Sequence, residues 1–214
     1  MIIAVDGPTA SGKGTISKEL AKHFALPFLD TGLLYRAVGW TLREQGGDAD
    51  NVADALAACV FDGTLLDNPA LRSEVIGGLA SRVSVHPEVR QALDKHQKDF
   101  AYQTAGAVLD GRDIGTVIAP DADVKLFVTA SSEARAVRRF EEMKRRGERV
   151  NFDDILANIL QRDERDRNRA TAPLKPAEDA DLLDTTNLTI DAAIQQAIAM
   201  VNAKTSGRDG TDPA

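Results

Sequence analysis

Met1–Thr15 reads MIIAVDGPTASGKGT. The opening MIIAVD is a short apolar run, as expected of a buried parallel strand. Gly7–Thr15 follows at once and nearly fits G-x-x-x-x-G-K-[ST], a turn whose backbone N–H groups converge on phosphate oxygens. The departure is at position 14. Gly14 stands where the pattern places a metal-binding hydroxyl, and Thr15 supplies one a residue late. Ile16, Leu20 and Phe24 then recur at four-residue spacing, so the turn opens a helix whose N-terminal end adds positive potential. Strand, glycine turn and helix in that order distinguish this loop from an ordinary glycine turn. Gly7, Pro8, Thr9, Ala10, Ser11, Gly12, Lys13, Gly14 and Thr15 are therefore read as a nucleotide-binding loop, with Lys13 reaching the β- and γ-phosphates. Lacking a hydroxyl at position 14, magnesium has to lean on water and substrate phosphates, which suits its coordination chemistry.

The alternation continues along the chain. PFLD (27–30), AGAVLDGRD (105–113), DVKLFVTA (123–130) and ADLLDTT (180–186) read as further strands. Helical periodicity is expected over 31–47, 51–58, 71–82, 87–102, 131–146, 151–169 and 189–204, with His86-Pro87 parting the third from the fourth. Strands alternating with helices predict an α/β fold, a parallel sheet of the P-loop NTPase type flanked by helices. Such sheets bind ligands beyond the carboxyl ends of their strands. The glycine loop, Asp30, DGRD and TASS all fall there.

The bulk properties narrow the function. The chain has 214 residues, 43% hydrophobic and 28% charged, which suits one globular domain. A net charge of -7 argues against general nucleic-acid binding and requires basic residues to be focused at any anionic ligand. No apolar run has membrane-spanning length, and the N-terminus does not read as a signal peptide. Cys59, in ALAACVF, reads as a small core residue and excludes an intrachain disulfide. A cytoplasmic location is expected. His23, His86 and His96 are scattered and suggest neither a metal site nor a catalytic histidine.

The phosphoryl acceptor has to be read from the other loops. An alcohol acceptor would call for a placed general base. A phosphate monoester, with a second pKa near ~6, is already a nucleophile at neutral pH. It needs arginines instead, because two anions must be brought together. Arg36 follows Thr31 in DTGLLYR, Arg112 stands in DGRD, and Arg162, Arg165 and Arg169 lie in QRDERDRNR. Arg162, Asp166 and Arg169 are spaced to share one helix face. No apolar residue occurs from Gln161 to Arg169, so core packing does not explain that stretch. The preceding MKRRGERV is basic and loop-like, as a cover over phosphates would be.

The stretches DGPTASGKGT, LDTGLLYRAV, EVIGGLASRVSVHPEVRQAL, DGRDIGTVIAPDADVKLFVTASSEARAVRR and RDERDRNRATAPL together resemble the bacterial cytidylate kinase family, and they run in family order over most of the chain. The GKGT ending also resembles the loop of nucleoside monophosphate kinases, where the shifted hydroxyl is normal. The resemblance implies ATP-dependent, magnesium-assisted phosphorylation of CMP and dCMP by one kinase domain over 1–203. Within it a monophosphate-binding region would span about 45–104 and a lid about 144–170, and 204–214 is expected to be a disordered tail. A monomer binding neither nucleic acid nor membrane is expected.

Carried over by position, the catalytic set is Lys13, Arg36, Arg112 and Arg162. The monophosphate site is Thr31 (where the family often has Ser), Tyr35, Arg36, Ser81, Arg90, Arg112, Asp113, Arg162, Asp166 and Arg169. By the resemblance, Ser81, Arg90 and Asp113 read the cytosine edge, Arg162 and Asp166 meet the sugar, and Arg36 and Arg112 hold the monophosphate. Asp110 is expected to orient magnesium through water, and Arg135 or Arg138 to stack on adenine. One departure is visible: the family commonly carries a longer insertion with a small β-sheet where this chain has only FDGTLLDNPALR. That leaves the ranking of CMP, dCMP and UMP open. Two other readings are a kinase for an alcohol metabolite and a nucleotide switch or RNA-binding regulator using residues 135–169. The arginine count disfavours the first. The absence of N-K-x-D and the scarcity of aromatics there disfavour the second.

Overall fold

A computed structural model describes residues 1–206. Five strands, β1 (Ile2–Asp6), β2 (Phe28–Asp30), β3 (Ala107–Gly111), β4 (Val124–Thr129) and β5 (Asp181–Asp184), form one sheet in the order β2-β3-β1-β4-β5. Every pairing is parallel. β1 and β3 lie inside the sheet with both faces covered, which is why their sequences are apolar nearly throughout.

Eight α-helices accompany the strands among the described residues: α1 (Lys13–His23), α2 (Thr31–Glu44), α3 (Val52–Ala57), α4 (Glu74–Val83), α5 (Pro87–Ala101), α6 (Ser132–Arg145), α7 (Phe152–Asn168) and α8 (Ile190–Ser206). On one face of the sheet, Ile3, Val5, Leu126 and Val128 pack with Ile16 and Leu20 of α1 and Ala197 and Val201 of α8. On the other, Ala4 and Leu109 meet Ile114, Ile118 and Ala101. The alternation of Ile3, Ala4 and Val5 between these two clusters is the two-residue period of a strand.

Further, smaller cores stand apart from the sheet. Leu34, Val38 and Leu42 of α2 pack on Ala80, Val83, Val89 and Leu93 of α4 and α5. Ala136 and Met143 of α6 pack on Ile155 and Ile159 of α7, closing these helices into a hairpin. Half-buried Cys59 packs against the first of these, and burial pushes its thiol up to about 11, as an inert core residue would be.

The structure adjusts several sequence expectations. No strand lies between β2 and β3 among the described residues, so the short segment before α4 carries no small sheet. α4 begins at Glu74 rather than 71, because Pro69–Arg72 forms a separate 3-10 turn whose start is capped by Asn68 through the Ala70 N–H. After β3 the chain makes one π-helical turn, Ile114–Ile118, which hydrophobic periodicity did not suggest. α7 stops at Asn168, and Arg169 is extended (φ -63°, ψ 140°), so Arg162, Asp166 and Arg169 do not all lie on the helix itself. α8 runs on to Ser206, so 204–206 of the expected disordered tail are helical; the remainder, 207–214, lies outside the described residues.

Candidate active site

The loop Gly7–Thr15 joins β1 to α1 at the carboxyl end of the sheet. Its entry is set by a close approach: a Cβ on Gly7 would stand 2.0 Å from the Val128 carbonyl oxygen of β4. Gly12, at φ 90°, caps α1 in the left-handed region that glycine occupies without strain. Gly14 has a different reason. A Cβ there would lie 3.1 Å from Asp110 Oδ2, so a Ser or Thr at this position would crowd the acid at the end of β3. The position without a hydroxyl is thus the one where α1 comes close to Asp110.

Lys13 Nζ stands 3.3 Å from Asp110 Oδ1. Burial, and then the charge of Arg112, lower the Lys13 pKa, while burial raises that of Asp110. Asp30 lies beside Asp110 in the strand register. This donor set suits magnesium held mainly by phosphates and water with one or two carboxylates behind it. No group of three or more His, Cys, Asp or Glu that could hold a metal by itself occurs among the described residues.

Beside the loop opens a cleft of about 320 Å³. Every residue expected at the monophosphate site lines it: Thr31, Tyr35, Arg36, Ser81, Arg90, Arg112, Asp113, Arg162, Asp166 and Arg169. Arg36 Nη1 donates to the carbonyls of Leu71 and Ser73, at 2.6 and 3.0 Å, which fixes it through main chain rather than through a carboxylate. Arg112 Nε donates to Asp166 Oδ2 at 2.9 Å. Burial alone would raise the Asp166 carboxyl, but Arg112 and Arg162 hold it below its ordinary value. Arg162 Nε is buried with no hydrogen-bond partner among the described residues. Burial, then the charge of Arg112, brings its pKa down to about 10, still protonated at neutral pH. The residue is only partly buried, but a guanidinium nitrogen shielded from water and without a partner beside a cleft gains from an anion that completes it.

The far end of the cleft is built for a different task. Asp113 accepts from Arg90 Nη2, and Arg169 Nη2 stands 3.5 Å from its other oxygen. Arg90 also lies over the Tyr35 ring, 5.5 Å from its centroid. Ser81 Oγ accepts from Arg165 Nη1 at 2.7 Å. Thr31 is tied structurally: its hydroxyl donates to the Asp110 carbonyl at 2.9 Å, joining the start of α2 to β3.

Arg135 is not placed to stack on a base. It is 2% exposed and makes a bidentate pair with Asp163 of α7, with further bonds to the carbonyls of Ala130 and Thr9. It clamps the glycine loop to the α6–α7 hairpin. Arg138 bonds to Thr185 and lines a second cleft of about 570 Å³, with Thr15, Leu188 and Ile190 around it.

Sequence reasoning missed several contributors. Asp6, at the end of β1, accepts from the Ile114 and Gly115 N–H groups, each at 2.8 Å, and so holds the turn that follows Asp113. Arg139 lines the cleft and ties α6 to α4 through Glu74. Asp163 anchors α7 where no apolar residue does. No local signal marks these residues, whose partners lie 28 to 109 positions away.

Residues 3–203 match the family described as cytidylate kinase. A cytidylate kinase from Rhodopseudomonas palustris (strain CGA009) is 53% identical over 209 residues, covering 97% of this chain and 99% of that one. Another, from Bradyrhizobium sp. (strain ORS 278), is 54% identical with the same coverage. A solved structure of an uncharacterized protein from Eubacterium ventriosum superposes with a TM-score of 0.53 at 15% identity, over 95% of this chain and 99% of that one, a likeness of fold alone. With a matching family over nearly its whole length and relatives this similar, the chain belongs to the cytidylate kinase family, and so to the nucleoside monophosphate kinases.

Proposed function

We propose that the protein transfers the γ-phosphoryl group of ATP, in line, to a phosphate oxygen of CMP or dCMP, as a cytoplasmic monomer serving pyrimidine nucleotide metabolism. Family membership supports ATP-dependent phosphorylation of CMP. The observation that carries the site assignment is the convergence of Lys13, Arg36, Arg112 and Arg162 on one cleft beside the glycine loop, with Asp113 at its far end. Neither nucleic acid nor membrane is assigned as a partner; no helix among the described residues is long and apolar enough to cross a bilayer.

The donor triphosphate is assigned to Gly7–Thr15, and its base to the second cleft beside Arg138 and Ile190. Bound magnesium would supply charge neutralisation between the phosphates, with Asp110 orienting its water shell. Arg36 and Arg112 hold the acceptor phosphate, and Arg162 and Asp166 face the sugar. The acceptor needs no general base, since it is largely ionised at neutral pH. Lys13 and the arginines therefore act by positioning and by neutralising charge that moves between two phosphates.

Asp113 is an acceptor held by two arginines and suits the cytosine amino group, while Arg90 can donate to O2 and Ser81 to ring N3, an acceptor in cytosine but an N–H in uracil. Uracil would turn a carbonyl toward the Asp113 carboxylate. The α6–α7 hairpin acts as a lid that excludes water from the transferred group.

The reading is tested by ADP release from ATP and magnesium with CMP, dCMP, UMP, AMP and GMP offered separately. Strong turnover with CMP and dCMP and little with the purines is expected. ATP binding without transfer to any monophosphate would refute the acceptor assignment.

A further inference from the structure

Arg165 lies three residues after Arg162 on α7, yet it points at a different element. Its Nη1 donates to Ser81 Oγ on α4, 84 positions away in the chain. Ser81 is 3% exposed and lines the cleft. A helical serine commonly turns its hydroxyl back onto a carbonyl one turn earlier. Ser84 does this, donating to the Ser81 carbonyl at 3.0 Å. Ser81 instead has its oxygen held from outside its own helix. A guanidinium has donors only, so Ser81 must be the acceptor in this bond. Its own proton and its second lone pair remain for a ligand.

We propose that Arg165 is a positioning residue for pyrimidine selectivity: it locks the Ser81 side chain in the orientation that faces the acceptor base, and joins that base-reading helix to α7. The proposal rests on the reading of Ser81 as a base contact. The bond spans two separately packed units, the α2–α4–α5 core and the α6–α7 hairpin. A neighbouring tie, Arg139 of α6 to Glu74 of α4, joins the same two units. That tie involves no group at the base end of the cleft, so among the described residues the hydrogen bond from the hairpin to Ser81 is that of Arg165. Because α7 also carries Arg162 and Asp166, a base that seats well against Ser81 favours the hairpin position in which those side chains face the sugar and phosphate.

The test is steady-state kinetics with CMP and UMP for Arg165→Met, Arg165→Lys, Ser81→Ala and the double variant Arg165→Met/Ser81→Ala. Loss of one charge-assisted hydrogen bond is worth about tenfold. Arg165→Met is expected to lower the CMP-over-UMP ratio of kcat/KM about tenfold, mainly through KM for CMP, with KM for ATP unchanged. Arg165→Lys, which keeps a donor, should recover part of the ratio. The double variant should be no less selective than Ser81→Ala alone. Equal losses with CMP and UMP, or losses that multiply in the double variant, would show a purely structural contact and overturn the proposal. An unchanged ratio in Ser81→Ala would overturn it together with the base-contact reading, and the two failures are told apart by which single variant is silent.

Discussion

Arg112, just past β3, and Asp166, on α7, meet at 2.9 Å although 54 positions separate them. The contact brings the hairpin helix to the end of the sheet, and Arg162 stands next to it without a partner for its Nε. Arg112→Ala and Arg162→Ala should each lower kcat/KM for CMP by at least about 100-fold, the loss expected on removing a transition-state donor. Arg112→Ala should also lower Tm, because it removes the guanidinium that hydrogen-bonds the buried Asp166 carboxylate. Near-normal ADP formation in either variant would contradict the assignment.

Gly14→Ser tests why the loop carries its hydroxyl one residue late. The new side chain must push Asp110 Oδ2 from 3.1 Å, disturbing the acid that faces Lys13. A fall in kcat of about tenfold or more is expected, with little change in Tm, since the neighbour that yields is a side chain. Gly7→Ala should behave oppositely. Its Cβ would meet backbone at 2.0 Å, so destabilisation beyond about 4 kcal/mol, read by urea unfolding, is expected.

Asp163→Ala should destabilise the protein by about 3–5 kcal/mol, because it strands the buried Arg135 guanidinium. Arg135 is 2% exposed and reaches the glycine loop through the Thr9 carbonyl, so ATP binding should weaken in the same variant. Denaturant unfolding and a nucleotide titration check the two effects.

Asp6 gives a pH dependence of defined sign. Burial, with smaller repulsion from Asp113 and Asp110, raises its pKa from 3.8 to about 7 against two backbone hydrogen bonds that lower it. The folded chain therefore holds this proton more tightly than the unfolded chain. The stability it contributes is full below about pH 4 and is lost as pH rises to about 7. The carboxylate accepts from the Ile114 and Gly115 N–H groups more strongly than the neutral acid, so the turn beside Asp113 tightens over the same range. KM for CMP should fall between pH 5.5 and ~7.5 beyond the change due to ionisation of CMP itself, and Asp6→Asn should remove the excess. Identical profiles for the two proteins would refute this role.

Removing magnesium with a chelator should abolish turnover while leaving the Tm of the nucleotide-free protein unchanged. The described residues provide no cluster able to hold a metal without phosphates. A large drop in Tm on chelation would point to a resident ion instead.

Much of the fold and site was legible in the sequence because it is written in local patterns. A buried parallel strand reads as an apolar run, a phosphate loop must have glycines between a strand and a helix, and an amphipathic helix repeats every three to four residues. The five strands, the glycine loop and the arginines of DGRD and QRDERDRNR are all of this kind, and the residues carried over by resemblance converge on one cleft. What a charged side chain pairs with is not local. Arg135 and Arg138 lie less than one turn apart on α6, yet Asp163 draws the first into the interior while Thr185 holds the second at the rim of the other cleft. Arg165 and Arg162 lie within one turn of each other, yet one holds a serine and the other faces the cleft with its Nε unbonded. Sequence determined the sheet, the loop and the class of chemistry, through periodicity and backbone geometry. Only the tertiary structure decided which charged side chains are compensated within the chain and which face the cleft without a partner, because that depends on how α6 and α7 dock across the ends of strands distant in the chain.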